Sequence, residues 1–276
     1  MSLLPQKNIK YREAINISAW RKVAIGTWKT CGDPSIYGNI EIDATPILES
    51  VERFATKGIK VTPTTIIAKL TALSMAEYPM LNSVLRFGKL YQRESIDVFL
   101  QVSAPNKQED NLSGITIRNC DKKSVFEISE EIVKKSARIK EGDDHEYKKM
   151  KAIMLLLPGM VVGPMIRLVE FIMMDLNLWS PLLNAPRDSF GSVMVTSVGM
   201  MGIESGFAPL VPYSRCPLLV TVGEIRSRPW VINGEVVVRP VMNLGFTLDH
   251  RIMDGVGASV VLKAFKQKLD HLQELL

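Results

Sequence analysis

The search for a general base in this chain is short, because 276 residues contain three histidines: His145, His250 and His271. Imidazole is the side chain suited to proton transfer near neutral pH. His145 sits in EGDDHEYKK, a polar, solvated stretch, and His271 lies among LDHLQ on a terminal helix and reads as a surface residue. His250 differs. It ends the alternating run VMNLGFTL and opens LDHRIMDGVG, a strand-to-helix corner where a side chain can stand exposed above a rigid sheet. By itself a histidine at such a corner is more often an ordinary surface residue, and Asp254-Gly255 alone would be a plain turn before a helix. The three cysteines, Cys31, Cys120 and Cys216, are far apart, odd in number and form no C-x-x-C pair. Neither a metal site nor a disulfide framework is expected, and the reducing cytoplasm is the expected compartment.

Several elements must position these residues. Ile96–Val102 and Met242–Leu248 alternate apolar and other residues with period two, the mark of half-buried strands, and 37–43, 112–118, 191–198 and 218–223 read likewise. Residues 44–57 read as a helix stopped by Gly58, and 64–78 as a helix opened by Thr62-Pro63. Residues 124–140 carry one apolar face, and a final helix runs from Asp254 to the end with a narrow leucine seam. Strands and helices mix along the whole length without a linker or repeat, so 1–276 reads as one α/β domain.

Composition narrows the functions. Apolar residues make up 46% and charged residues 23%, which excludes a disordered or collagen-like chain. A net charge of +5 without a run of five like charges gives no reason to expect nucleic acid. The N-terminus lacks the apolar core of a signal peptide. One segment, 150–185, is unusual. Between Lys151 and Arg167 lie fifteen uncharged residues, AIMLLLPGMVVGPMI, too few and too interrupted by Pro158, Gly159 and Pro164 to span a bilayer. Three readings stay open for it: buried core or oligomer interface, an interfacial membrane or lipid-binding hairpin, and a lid over an acyl pocket.

Five collinear motifs carry a family resemblance. DHRIMDG (249–255) contains the H-x-x-x-D-G pattern of the chloramphenicol acetyltransferase-like superfamily, and its fuller form resembles the dihydrolipoamide acyltransferases of 2-oxo acid dehydrogenase complexes. VTSVGMMGI (195–203) is similar to that family's strand-turn motif, TPTTIIAKLTALSMAEYPMLNSVL (62–85) to its proline-leucine-asparagine helix, and ITIRNCDKKSVFEISEEI (115–132) to its strand-helix unit. SAWRKVAIGTW (18–28) is similar to its first helix.

The resemblance implies a two-layer sandwich of mixed sheet and helices that forms trimers, with each active site between two subunits. His250 would be the general base on an acceptor thiol that attacks an acyl-CoA thioester directly. Counting back three from Gly199 gives Thr196 as donor to the oxyanion, with Ser197 the alternative, since a one-residue slip turns the hydroxyl to the other face. Asp254 would be structural, paired with a basic residue for which Arg21 is the candidate, and Gly255 would allow close backbone packing. Acyl-CoA is the expected donor substrate, with no covalently bound cofactor. Upstream of the core no lipoyl-domain pattern is seen, so a lipoyl group would be supplied in trans. Some relatives build cages through an apolar C-terminal tail, and LQELL is compatible with one. Two departures matter: the apolar insert, and the loose fit of VPYSRCPLLVTVG (211–223) to the family's substrate-side loop. They leave room for an O- or N-acyltransferase acting on a small molecule or lipid, for peripheral membrane contact, or for a non-catalytic scaffold.

Overall fold

The computed structural model describes residues 33–106, 109–140, 158–180 and 187–275. The chain divides after Asp33 into two units, and Pro34–Leu276 is the one described below. The expected first helix with Arg21, together with His145 and Cys31, lies outside the described residues.

Among the described residues nine strands form in chain order: β1 (Ser35–Asp43), β2 (Ser83–Arg86), β3 (Lys89–Gln92), β4 (Val98–Asn106), β5 (Glu109–Ile117), β6 (Val193–Ser197), β7 (Leu218–Val222), β8 (Arg226–Ile232) and β9 (Glu235–Asp249). Seven of them make one sheet ordered β1-β9-β7-β6-β4-β5, with β8 added along the far half of β9, while β2 and β3 form a separate hairpin. The sheet is mixed: β6 runs parallel to both β4 and β7, and the remaining neighbours are antiparallel. The helices are α1 (Thr45–Thr56), α2 (Pro63–Ala76), α3 (Val125–Lys140), α4 (Gly159–Glu170), α5 (Gly255–Asp270) and the short α6 (Leu272–Leu275).

The starts and stops follow local chemistry. Thr62 caps α2 by accepting from the Thr65 amide at 3.2 Å, with Pro63 in the first turn. Ser124 and Glu127 cap α3 reciprocally, and the Ser124 amide and hydroxyl hold the Glu127 carboxyl below its usual range. Gly58 takes a φ of 73° just past α1, a conformation that favours glycine.

The two faces of the sheet are unequal. One carries Val98, Leu100, Val193, Val195, Val220, Met242 and Leu244 against Ile47 of α1, Ile66 and Leu70 of α2, Ile128 of α3 and Phe265 of α5. The other carries a small cluster of Phe99, Met194, Cys216 and Leu219 beneath Phe190, Ala208, Leu210 and Val211. This is the expected two-layer sandwich, its helices on one side. Across the layer Lys69 of α2 is buried and donates to the Asp121 and Lys123 carbonyls at 2.7 Å, and burial lowers its pKa.

Three expectations are corrected. The terminal helix is not continuous: α5 stops at Asp270 and His271 leaves the helical region before α6. β9 begins at Glu235 rather than 242, because it pairs with the unforeseen β8 around an Asn233-Gly234 turn in which both residues have positive φ. The core reading of 150–185 fails for α4, none of whose residues is buried in this chain.

Candidate active site

His250 stands where β9 ends, and backbone hydrogen bonds fix the corner around it. The amide of Asp249 donates to the Pro217 carbonyl, that of His250 to the Pro34 carbonyl, and those of Ile252 and Met253 to the Asp249 carbonyl. The imidazole itself is exposed. The residues on either side of it form a clamp that the sequence reading passed over. Asp249, buried, receives the Arg251 guanidinium on both oxygens, at 2.9 Å from Nε and 2.6 Å from Nη2. A fork-to-fork pair of this kind fixes geometry as well as charge. Its signal was present in the alternation D-H-R, an acid and a base flanking the histidine.

Asp254 is the N-cap of α5, its Oδ1 accepting from the Gly257 amide at 2.9 Å. That is a local structural role. Its proposed partner Arg21 lies outside the described residues. At Gly255 a Cβ would meet nothing within 4 Å among the described residues. The tight approach belongs to Gly257, where a Cβ would come within 2.8 Å of Met253 and 2.9 Å of the Tyr78 hydroxyl. Behind the corner, between α5 and the sheet, lies an apolar cavity of about 260 Å³ that reaches Gly38, Phe246 and Met253.

Thr196 and Ser197 end β6, both half-buried. Strand alternation separates them. Ser197 shares the helix-covered face with Val195, whereas Thr196 shares the opposite face with Met194. On that face Thr196 is in register with Thr221, and Thr221 with Gly245. Gly245 is required there, since a Cβ would meet the Gly206 carbonyl and the Thr221 hydroxyl at 2.4 Å each.

The register also shows what one chain does not bring together. Thr196 lies level with Gly245, five residues before His250 on β9 and two strands away. At about 3.3 Å per residue that is roughly 16 Å along the strands. His250 sits at the end where β6 and β7 begin, and Thr196 at the end where β6 finishes. A reacting thioester spans no such distance, so within one protomer these two side chains do not converge on one site.

Other groups are quiet. Burial pushes the Cys120 and Cys216 thiols up to about 12, so both are inert structural residues. No cluster of three or more metal-ligating side chains occurs among the described residues. Arg215, which sequence reading missed, binds Glu170 at 2.7 Å and Asp175 at 3.0 Å, tying the insert to the loop before β7.

Sheet, helix layer and corner together define a two-layer α/β domain with a histidine-centred site at the sheet end. The pattern of the 2-oxoacid dehydrogenases acyltransferase catalytic domain matches residues 11–151 and 186–276, and the chain belongs to this family. The match leaves out residues 152–185. Among curated proteins, the dihydrolipoyllysine-residue acetyltransferase component of the Acholeplasma laidlawii pyruvate dehydrogenase complex is 26% identical over 217 residues, covering 78% of this chain and 32% of that protein. The chain spans less than half the length of the curated relatives it matches first. Among solved structures, a probable dihydrolipoamide acetyltransferase from Listeria monocytogenes superposes with a TM-score of 0.64 at 21% identity, covering 94% of this chain and 95% of that one. The cubic core of the pyruvate dehydrogenase multienzyme complex superposes with a TM-score of 0.62 at 19% identity, covering 100% and 99%.

Proposed function

We propose that this chain transfers an acyl group between CoA and an acceptor thiol of the dihydrolipoyl type. His250 takes the proton from the acceptor S–H as sulfur attacks the thioester carbonyl. The Thr196 hydroxyl of a second copy donates to the oxyanion that forms. The bond to the CoA sulfur then breaks, and the proton held by His250 passes to the departing thiolate, so the enzyme ends as it began.

The observation that carries this reading is the separation of Thr196 from His250 by five residues and two strands. It calls for a site completed between subunits, as in the expected homotrimer. Of the two hydroxyls, Thr196 is favoured, because Ser197 faces the helix layer. Asp254 supports the site by starting α5, and the Asp249–Arg251 pair holds the backbone from which the imidazole projects. The cubic core named for one structural relative supports assembly of trimers into a cage. The family's acyltransferase activity favours catalysis over an inert scaffold, and the two buried thiols suit a cytoplasmic setting. The uncovered apolar insert gives a second reading, in which a lipid or small apolar molecule is the acceptor.

The test is thioester turnover with acyl-CoAs of increasing chain length and dihydrolipoamide as acceptor, with His250→Ala alongside. Turnover by the wild type that collapses in the variant supports the reading. Equal turnover in both removes His250 from the mechanism. A wild type active only on hydroxyl or amine acceptors transfers support to the second reading.

A further inference from the structure

The segment that the family match leaves out carries a surface that catalysis does not use. α4 is predominantly apolar, with Arg167 and Glu170 its two charged residues. Val162, Met165, Ile166 and Val169 are half-buried towards the protein, and Met160, Val161, Leu168 and Phe171 are exposed on the other side. Met160 is 84% exposed and Leu168 59%, and just beyond them Leu178 is 59% and Trp179 43% exposed. Among the described residues nothing covers this outer apolar side, and an exposed patch of this kind marks an interaction surface. Pro164 lies within it, and no helix among the described residues is long and apolar enough to cross a membrane.

The charges sort by side. Residues 158–180 contain three charged side chains: Arg167, Glu170 and Asp175. Arg215 draws both acids inward, leaving their side chains 19% and 16% exposed. The Arg86 guanidinium also donates to the Asp175 carbonyl, and Phe87 meets Phe171 edge-on. The outer side of the helix is therefore left with apolar groups and the exposed Arg167. An apolar face with an exposed arginine and with its acids neutralised internally matches the interface of an anionic bilayer, where apolar groups settle at the acyl boundary and a guanidinium meets lipid phosphates.

We infer that the outer face of α4 and the turn after it, from Met160 to Trp179, is a docking surface for an anionic lipid bilayer, on which this segment lies without spanning it. The inference goes beyond acyl transfer and does not depend on it.

Co-sedimentation of the full chain with lipid vesicles tests it. The probes are phosphatidylcholine vesicles, with and without about a quarter of phosphatidylglycerol, an anionic fraction chosen to set a negative surface potential. Binding to the anionic vesicles is expected to exceed binding to the neutral ones. Met160→Glu with Leu168→Glu should weaken it by about tenfold or more, since two apolar groups no longer leave water. Arg167→Glu should weaken it by at least about fivefold. All three positions are exposed, so folding should survive, and sedimentation velocity without lipid should be unchanged. Equal binding to both vesicle types, no binding by the wild type, or undiminished binding by the variants overturns the proposal. So does a variant that breaks the assembly into smaller species, which would make this face a contact between copies.

Discussion

The His250 corner and the insert at 158–180 sit on the same loop yet are held in opposite ways. Pro217 fixes the Asp249 amide through its carbonyl, and two residues earlier Arg215 clamps Glu170 and Asp175. The corner is built from backbone hydrogen bonds to strand ends, a bidentate ion pair between residues two apart and a helix cap three residues long in reach. The insert is held by ion pairs that join residues 45 and 40 positions apart. Short-range geometry of the first kind keeps a reactive group where a substrate must meet it. Side-chain ties of the second kind let an apolar segment be added to a finished fold without disturbing its sheet.

The largest effect that sharpens this contrast is on turnover. His250→Ala should lower kcat/KM by about 10²–10⁴-fold with the melting temperature unchanged, because the imidazole is exposed and supports no packing. A stability loss to match would mean that the histidine is structural.

Next comes the tie of the insert. Arg215→Ala should cost about 2 kcal/mol, since two half-buried carboxylates lose charged hydrogen bonds. Limited proteolysis should then cut between 158 and 180 faster. Turnover should stay within a few-fold of wild type. An activity loss approaching that of His250→Ala would break the separation of the two regions.

The thiol on the same loop offers a smaller, pH-dependent reading. Burial raises the Cys216 pKa from an ordinary thiol value of 9.0 to about 12, so the unfolded state loses this proton first as pH rises. Its contribution is fully present below pH 9 and is lost between 9 and 12, at up to about 1.4 kcal/mol per pH unit. Denaturant unfolding of Cys216→Ala over that range should show a shallower fall than wild type. An identical slope would show that the thiol is not buried.

Smallest is the cap at the corner. Asp254→Ala should cost about 1 kcal/mol of stability, and Asp254→Asn much less, because asparagine caps nearly as well. Activity in Asp254→Asn should follow stability. A collapse of turnover in this variant would give the residue a part in the chemistry.

The same contrast explains what was legible in the sequence. Features set by near neighbours could be read: the Thr62-Pro63 start of α2, the Gly58 stop of α1, the alternation of Met242–Leu248, and H-x-x-x-D-G as a corner followed by a capped helix. The β8–β9 hairpin was missed although Asn233-Gly234 is a strong turn signal. Pro229 and Pro240 and the charges around them hid the strands, which pair at an exposed end of the sheet. The tight packing at Gly257 could not be read, because only the fold brings Tyr78 to α5. Arg215 could not be read at all, since its partners lie far away in sequence. The choice between Thr196 and Ser197 needed the faces of the sheet, which a single strand does not reveal.

The central claim, that one protomer's His250 works with another's Thr196, is tested most directly by mixing two inactive variants. His250→Ala and Thr196→Val, unfolded together and refolded in equal amounts, form mixed assemblies. If each site takes its histidine from one subunit and its threonine from the next, about a quarter of the sites carry both, and about a quarter of wild-type turnover should return. Mixtures as inactive as either variant alone would place both residues in one subunit's site and contradict the account.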